Sequence, residues 1–104
     1  MVSSLLSPST SHGQPLTLVL EGPIYIEDSL SMRNHLHTLM LQGYHSFVLD
    51  LTNVDYIDCS GLGVLVGTKK KLLATGGNLV VTGVSGVVEM LFQLTRLQTF
   101  LCSD

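Results

Sequence analysis

The sequence predicts an α/β protein, a single domain in which short apolar strands alternate with amphipathic helices. Three observations carry this expectation. The runs Phe47-Val48-Leu49-Asp50-Leu51 and Leu79-Val80-Val81 are short, apolar and rich in residues that suit a pleated surface. Apolar residues elsewhere recur at helical spacing, as in Met32, Leu36, Leu39 and Met40. Glycines at Gly43 and at Gly76-Gly77 separate the two kinds of segment. A length of 104 residues accommodates one such domain.

Taken in order, residues 1–14 are Ser-rich and aperiodic and read as a flexible N-terminal tail, with the domain spanning 15–104. Leu16 to Leu20 and Ile24-Tyr25-Ile26 read as adjacent strands joined at Glu21-Gly22, with Pro23 at a strand start or an edge. Glu27-Asp28-Ser29 reads as a helix start, followed by an amphipathic helix that Gly43 stops. Ser46 to Leu51 reads as a strand buried on both faces. A helix then leaves Ser60, with Leu62, Leu65, Val66 and Leu73 on its apolar face and Lys69, Lys70 and Lys71 toward its cation-favouring end. Leu79-Val80-Val81 forms the next strand. Ser85 or Gly86 opens a helix carrying Val87, Met90, Leu91 and Leu94, and Thr99-Phe100-Leu101 reads as a short last strand. The order is β-β-α-β-α-β-α, which implies a mixed, mostly parallel sheet flanked by helices on right-handed crossovers.

Composition narrows the function. A hydrophobic fraction of 45% with 12% charged residues describes a core-forming chain. The mean hydropathy of +0.43 fits either a compact buried sheet or a surface that a partner covers. A net charge of −3 with five Lys+Arg argues against direct nucleic-acid binding. No apolar stretch nears the ~20 residues of a membrane span, and no export signal is evident at the N-terminus. Two cysteines, Cys59 and Cys102, read as free thiols in a cytoplasmic protein.

The stretch Tyr56-Ile57-Asp58-Cys59-Ser60-Gly61-Leu62-Gly63-Val64-Leu65 organises the rest. It reads as a loop entering a helix, with Asp58 and Ser60 as helix-start residues and Gly61 and Gly63 allowing close backbone packing. The Ser60 hydroxyl would then be exposed at the positive end of a helix. Its order is not Gly-x-Ser-x-Gly, and His12, His35, His37 and His45 include no evident base, so a hydrolase is disfavoured. The phosphate-loop pattern is absent, and Gly61-Leu62-Gly63 alone is weak evidence for a dinucleotide. Asp50, Asp55 and Asp58 read as turn and cap residues, and Cys59 as a small buried or half-buried side chain; no metal or other cofactor is expected.

The same stretch, with Phe47 to Leu51, Gly76 to Val81 and Val87 to Leu94-Thr95, resembles STAS domains, in particular bacterial anti-sigma-factor antagonists. That resemblance implies that Ser60 is phosphorylated by a serine kinase that is also the anti-sigma factor. The unmodified form would bind this partner and free the sigma factor, and a serine phosphatase would reset the cycle. It also implies partner contacts at Tyr25, Asp58, Cys59, Ser60, Gly61, Leu62 and Gly63, in a monomer or weak dimer that is not an enzyme. Tyr25 stands where antagonists usually carry an acidic residue, Cys59 where serine is commoner, and Arg96 where Gly often follows Leu-Thr. The alternative readings are a constitutive STAS scaffold or transport-complex adaptor without phosphorylation and, ranked below it, a nucleotide-binding protein.

Overall fold

Alternating large apolar side chains give three strands one buried face. In the computed structural model, which describes residues 15–102, these are β1 (Leu16–Glu21), β2 (Ser46–Asn53) and β3 (Asn78–Thr82). They lie in the order β1-β2-β3, and both pairings are parallel. The register sets Leu16, Phe47 and Leu79 in one row and Leu18, Leu49 and Val81 in the next. All six side chains are buried. The strands are joined and followed by α1 (Ile26–Leu41), α2 (Cys59–Ala74), α3 (Gly86–Leu94) and α4 (Gln98–Cys102). The stretch read as a tail, 1–14, lies outside the described residues.

Strand order follows chain order, so both crossovers run in the same direction. Right-handed crossovers then put α1 and α2 on the same face of the sheet. This corrects the expectation that Ser46 to Leu51 is buried on both faces. Phe47, Leu49 and Leu51 are buried, whereas Val48 and Asp50, pointing the other way, are only half-buried.

The expected pair of adjacent strands at the start does not form. Ile24 turns away from β1 and makes a single parallel bridge to Ile57. Gly22 holds φ +71, and Pro23 offers no N–H to continue a ladder. The first helix starts earlier than Glu27-Asp28-Ser29 suggests. Tyr25 is its N-cap, and Asp28 Oδ2 accepts from the Tyr25 N–H at 3.0 Å. The expected last strand is helical, as α4.

The apolar face of α3 is rotated from the sequence expectation, while that of α2 holds at Leu62 and Leu65 and departs from it at Leu73. In α2 the buried position is Leu72, and Leu73 is half-exposed. In α3 the buried pair is Val88 and Phe92, leaving Val87, Met90 and Leu94 exposed. The segment Val-Val-Glu-Met-Leu-Phe-Gln-Leu offers two apolar stripes at helical spacing, and packing on the core selects one of them. Lys69 is also misplaced by a surface reading. It is 4% exposed, donates from Nζ to the Phe100 carbonyl of α4, and lies 5.1 Å from the Phe100 ring centroid.

α1, α2 and α3 end in the same way. The C″ residue donates back to the C3 carbonyl: Tyr44 to Leu39 at 3.2 Å, Gly77 to Leu72 at 2.7 Å and Leu97 to Phe92 at 3.0 Å. The motif requires a left-handed residue just before that donor. Gly43 and Gly76 supply it with φ +103 and +86, but the third position is Arg96 with φ +59.

Charge is sorted along the fold. The seven described carboxylate side chains are Glu21, Glu27, Asp28, Asp50, Asp55, Asp58 and Glu89, and they stand near strand carboxyl ends or helix starts. Of the five basic side chains, Lys69, Lys70, Lys71 and Arg96 stand in the second half of α2 or just past α3, and Arg33 stands midway along α1.

Arg96→Gly is therefore expected to stabilise the domain, by up to about 1 kcal/mol, by relieving the Cβ conflict of a left-handed residue. Thermal melting should show a rise of a few degrees. An unchanged or lower midpoint would mean that the Arg96 side chain contributes more than its backbone costs.

Candidate functional site

The site forms where the first two helices begin. Ile24 and Ile57 are fully buried and form a bridge. The Ile24 N–H donates to the Tyr56 carbonyl at 2.8 Å, and the Asp58 N–H donates to the Ile24 carbonyl at 3.1 Å. These bonds tie the segment entering α1 to the segment entering α2. They place Tyr25 and Tyr56 side by side, with ring centroids 5.8 Å apart and both side chains exposed.

Asp58 is the N-cap of α2. Its Oδ1 accepts from the Ser60 N–H at 3.0 Å and the Gly61 N–H at 3.4 Å, satisfying two N–H groups that lack helical partners. Gly61 then packs directly on the bridge. A Cβ there would come within 2.7 Å of Ile57 Cγ1 and 3.3 Å of Ile24 Cγ2. Leu62 turns into the core. Gly63 does not share the role of Gly61, since a Cβ there would meet nothing within 4 Å. It lies beside Ser60 on the groove between α1 and α2.

Two expectations about neighbouring side chains are reversed. Cys59, read as buried or half-buried, is exposed at the first position of α2. Ser60, read as exposed, is half-buried and lines the groove with Arg33, His37 and Lys71. The rotation of about 100° per residue separates them: the first helical position points outward and the second faces α1.

The structure brings Tyr25, Asp58, Cys59, Ser60, Gly61, Leu62 and Gly63 to one end of the domain, where Gly61 and Leu62 act from below by packing. Sequence reasoning missed Tyr56. A signal was available, because the buried Ile57 and the Asp58 cap leave a preceding extended residue facing outward. The three aspartates are separate in role. Asp50 accepts from the Thr52 hydroxyl at 2.6 Å and the Thr52 N–H at 2.9 Å, which holds its carboxyl below the ordinary aspartate value. Asp58 is the cap, and Asp55 is exposed. No group of three or more metal-ligating side chains is found among the described residues. No described helix is long and apolar enough to cross a membrane.

A sequence model of the STAS domain matches residues 8–102. The chain is 40% identical over 60 residues to an anti-sigma-B factor antagonist of Staphylococcus epidermidis, a match covering 58% of this chain and 56% of that protein. It is 37% identical over 59 residues to an anti-sigma-B factor antagonist of Staphylococcus aureus, covering 57% and 55% respectively. The matched stretch thus spans just over half the length of these curated relatives. Among solved structures, the unphosphorylated anti-sigma factor antagonist SpoIIAA superposes with a TM-score of 0.78 at 23% identity, covering 98% of this chain and 87% of that one. The phosphorylated form of the Bacillus cell fate determinant SpoIIAA superposes with a TM-score of 0.74 at 20% identity, covering 98% and 90%. At these identities the likeness shows the fold.

Two outcomes follow from the geometry. Asp58→Ala should destabilise the domain by about 1 kcal/mol, the usual effect of losing an N-cap, measured by urea unfolding. Thiol labelling at pH 8 should modify Cys59 well before Cys102, because Cys102 is half-buried and burial raises its thiol pKa. Equal labelling rates would place Cys102 in solvent and contradict its packing.

Proposed function

This chain belongs to the STAS domain family, and we propose that within it the chain acts as an anti-sigma-factor antagonist, a regulatory protein-binding module rather than an enzyme. The observation that carries this reading is the stitched pair of helix starts, with Tyr25, Tyr56 and Cys59 exposed beside the first turn of α2. Exposed aromatic side chains on a rigid base suit a protein interface, since they bury much area for little lost freedom. The names of the Staphylococcus relatives support the same reading.

The proposed partner is an anti-sigma factor that is also a serine kinase, and Ser60 is the proposed acceptor, reset by a serine phosphatase. A phosphate adds about −1.5 to −2 charges at neutral pH. The dipole at the start of α2 favours this charge, while the Ser60 and Gly61 N–H groups are already taken by the Asp58 carboxylate. The added charge would have to be desolvated at the interface, so binding would be lost without unfolding.

A second reading, an unswitched scaffold or adaptor, is favoured by one observation. The residue before Ser60 is an exposed thiol, and the Ser60 side chain is half-buried against α1. A kinase must reach Ser60 Oγ, and this packing opposes it.

Incubation with candidate anti-sigma-factor kinases, read by intact mass and peptide mapping, decides between them. The switch requires one phosphate on Ser60, absent in Ser60→Ala, and loss of partner binding on phosphorylation in a pull-down. Binding without phosphorylation would support the adaptor. A phosphate appearing only in Cys59→Ser would make the outward position the acceptor site and leave the natural chain unswitched.

A further inference from the structure

We propose that the groove between α1 and α2 is a binding site for a phosphoryl group. The groove has a volume of about 330 Å³ and is lined by Arg33 and His37 of α1 and by Ser60, Thr68 and Lys71 of α2. Its remaining lining is Gly63, Val64 and Gly67. None of these residues is acidic. The whole chain has only five Lys+Arg and a net charge of −3, yet two of those five line this one cavity. A cleft lined by a single sign of charge focuses its field inward and attracts the opposite charge.

The spacing explains how the groove is built. Arg33 and His37 are four apart and share a face of α1. Ser60, Gly63, Gly67 and Lys71 are spaced to share a face of α2. A Cβ at Gly63 or Gly67 would meet nothing within 4 Å, so these glycines leave free volume where any other residue would fill it. Lys71 Nζ stands 2.9 Å from His37 Nε2, so its neighbour in the groove is an imidazole rather than a carboxylate. An anion would replace that weak pairing with charge-assisted bonds, and the guanidinium of Arg33 offers a planar fork suited to phosphate oxygens. The volume is at the small end for ligand sites and fits a phosphomonoester rather than a protein segment.

The phosphoryl group has two potential sources, a phosphate carried on Ser60 or one on a free ligand. The first rests on the phosphorylation proposed above and the second does not. If Ser60 carries the phosphate, Arg33 in the same groove would supply its counter-charge, whereas Lys71 starts eleven residues, about 16 Å, further along α2.

Two NMR experiments with ¹⁵N-labelled protein test this. In one, inorganic phosphate is titrated at constant ionic strength against sodium chloride. In the other, phosphoserine is installed genetically at position 60, which makes the result independent of any kinase. The expected result is a selective shift of Arg33, His37 and Lys71 signals in at least one experiment. The double variant Arg33→Gln with Lys71→Gln should weaken phosphate binding about tenfold or more, or abolish the phosphoserine-induced shifts. Both substituted side chains are exposed, so this variant should keep its melting temperature. Shifts with inorganic phosphate identify a free-ligand site, and shifts only with phosphoserine identify the covalent source. The proposal falls if neither experiment moves these signals beyond the chloride control, or if the shifts persist in the double variant.

Discussion

The bridge between Ile24 and Ile57 is the constraint on which the functional end depends. One residue pair, two backbone hydrogen bonds and two fully buried side chains fix where α1 and α2 begin relative to each other. Glycine at 61 is what allows α2 to settle on that pair, because any side chain would strike Ile57. The Asp58 cap then completes the first turn of α2. A weakened bridge would not simply loosen a loop. It would uncouple Tyr25 from Tyr56 and shift the first turn of α2 away from both.

Such a base favours regulation by added charge over regulation by refolding. The helix starts are held from below by apolar packing and from within by backbone bonds. A modification at this end would therefore act mainly on what the surface presents. The groove beside Ser60 fits this view, since its cationic lining stands ready to take up negative charge without displacing any buried group.

Much of this was legible in the sequence because local rules and the fold agree. The strand-loop-helix around Asp58 could be read from a capping residue, a small residue at a close approach and a helical apolar period. The α/β alternation could be read from run lengths and from Gly43 and Gly76. What could not be read depends on choices made in three dimensions. Ile24-Tyr25-Ile26 has strand composition, yet Gly22 and Pro23 redirect it so that only Ile24 pairs. α3 is apolar on two stripes, and the core decides which is buried. Lys69 is buried because α4 supplies the Phe100 carbonyl, which no local pattern announces. The exchange of exposure between Cys59 and Ser60 depends on where the first turn of α2 begins, a matter of one residue.

The sorting of charge along the fold makes the molecule electrically lopsided. Carboxylates gather at the end where the helices begin, and four of the five basic side chains lie in the second half of α2 and just past α3, with Arg33 midway along α1. The dipole is met at the start of α1 by Glu27 and Asp28, at the start of α2 by the Asp58 cap and at its end by Lys71, and at the start of α3 by Glu89, which steadies the fold. Seen from a distance, however, the domain has its negative pole at the aromatic crest. A partner carrying a basic surface would be turned toward that pole before touching it, and an acidic partner would be turned away. Recognition would then begin with orientation during the diffusive approach, and it would slow as salt shortens the reach of that field.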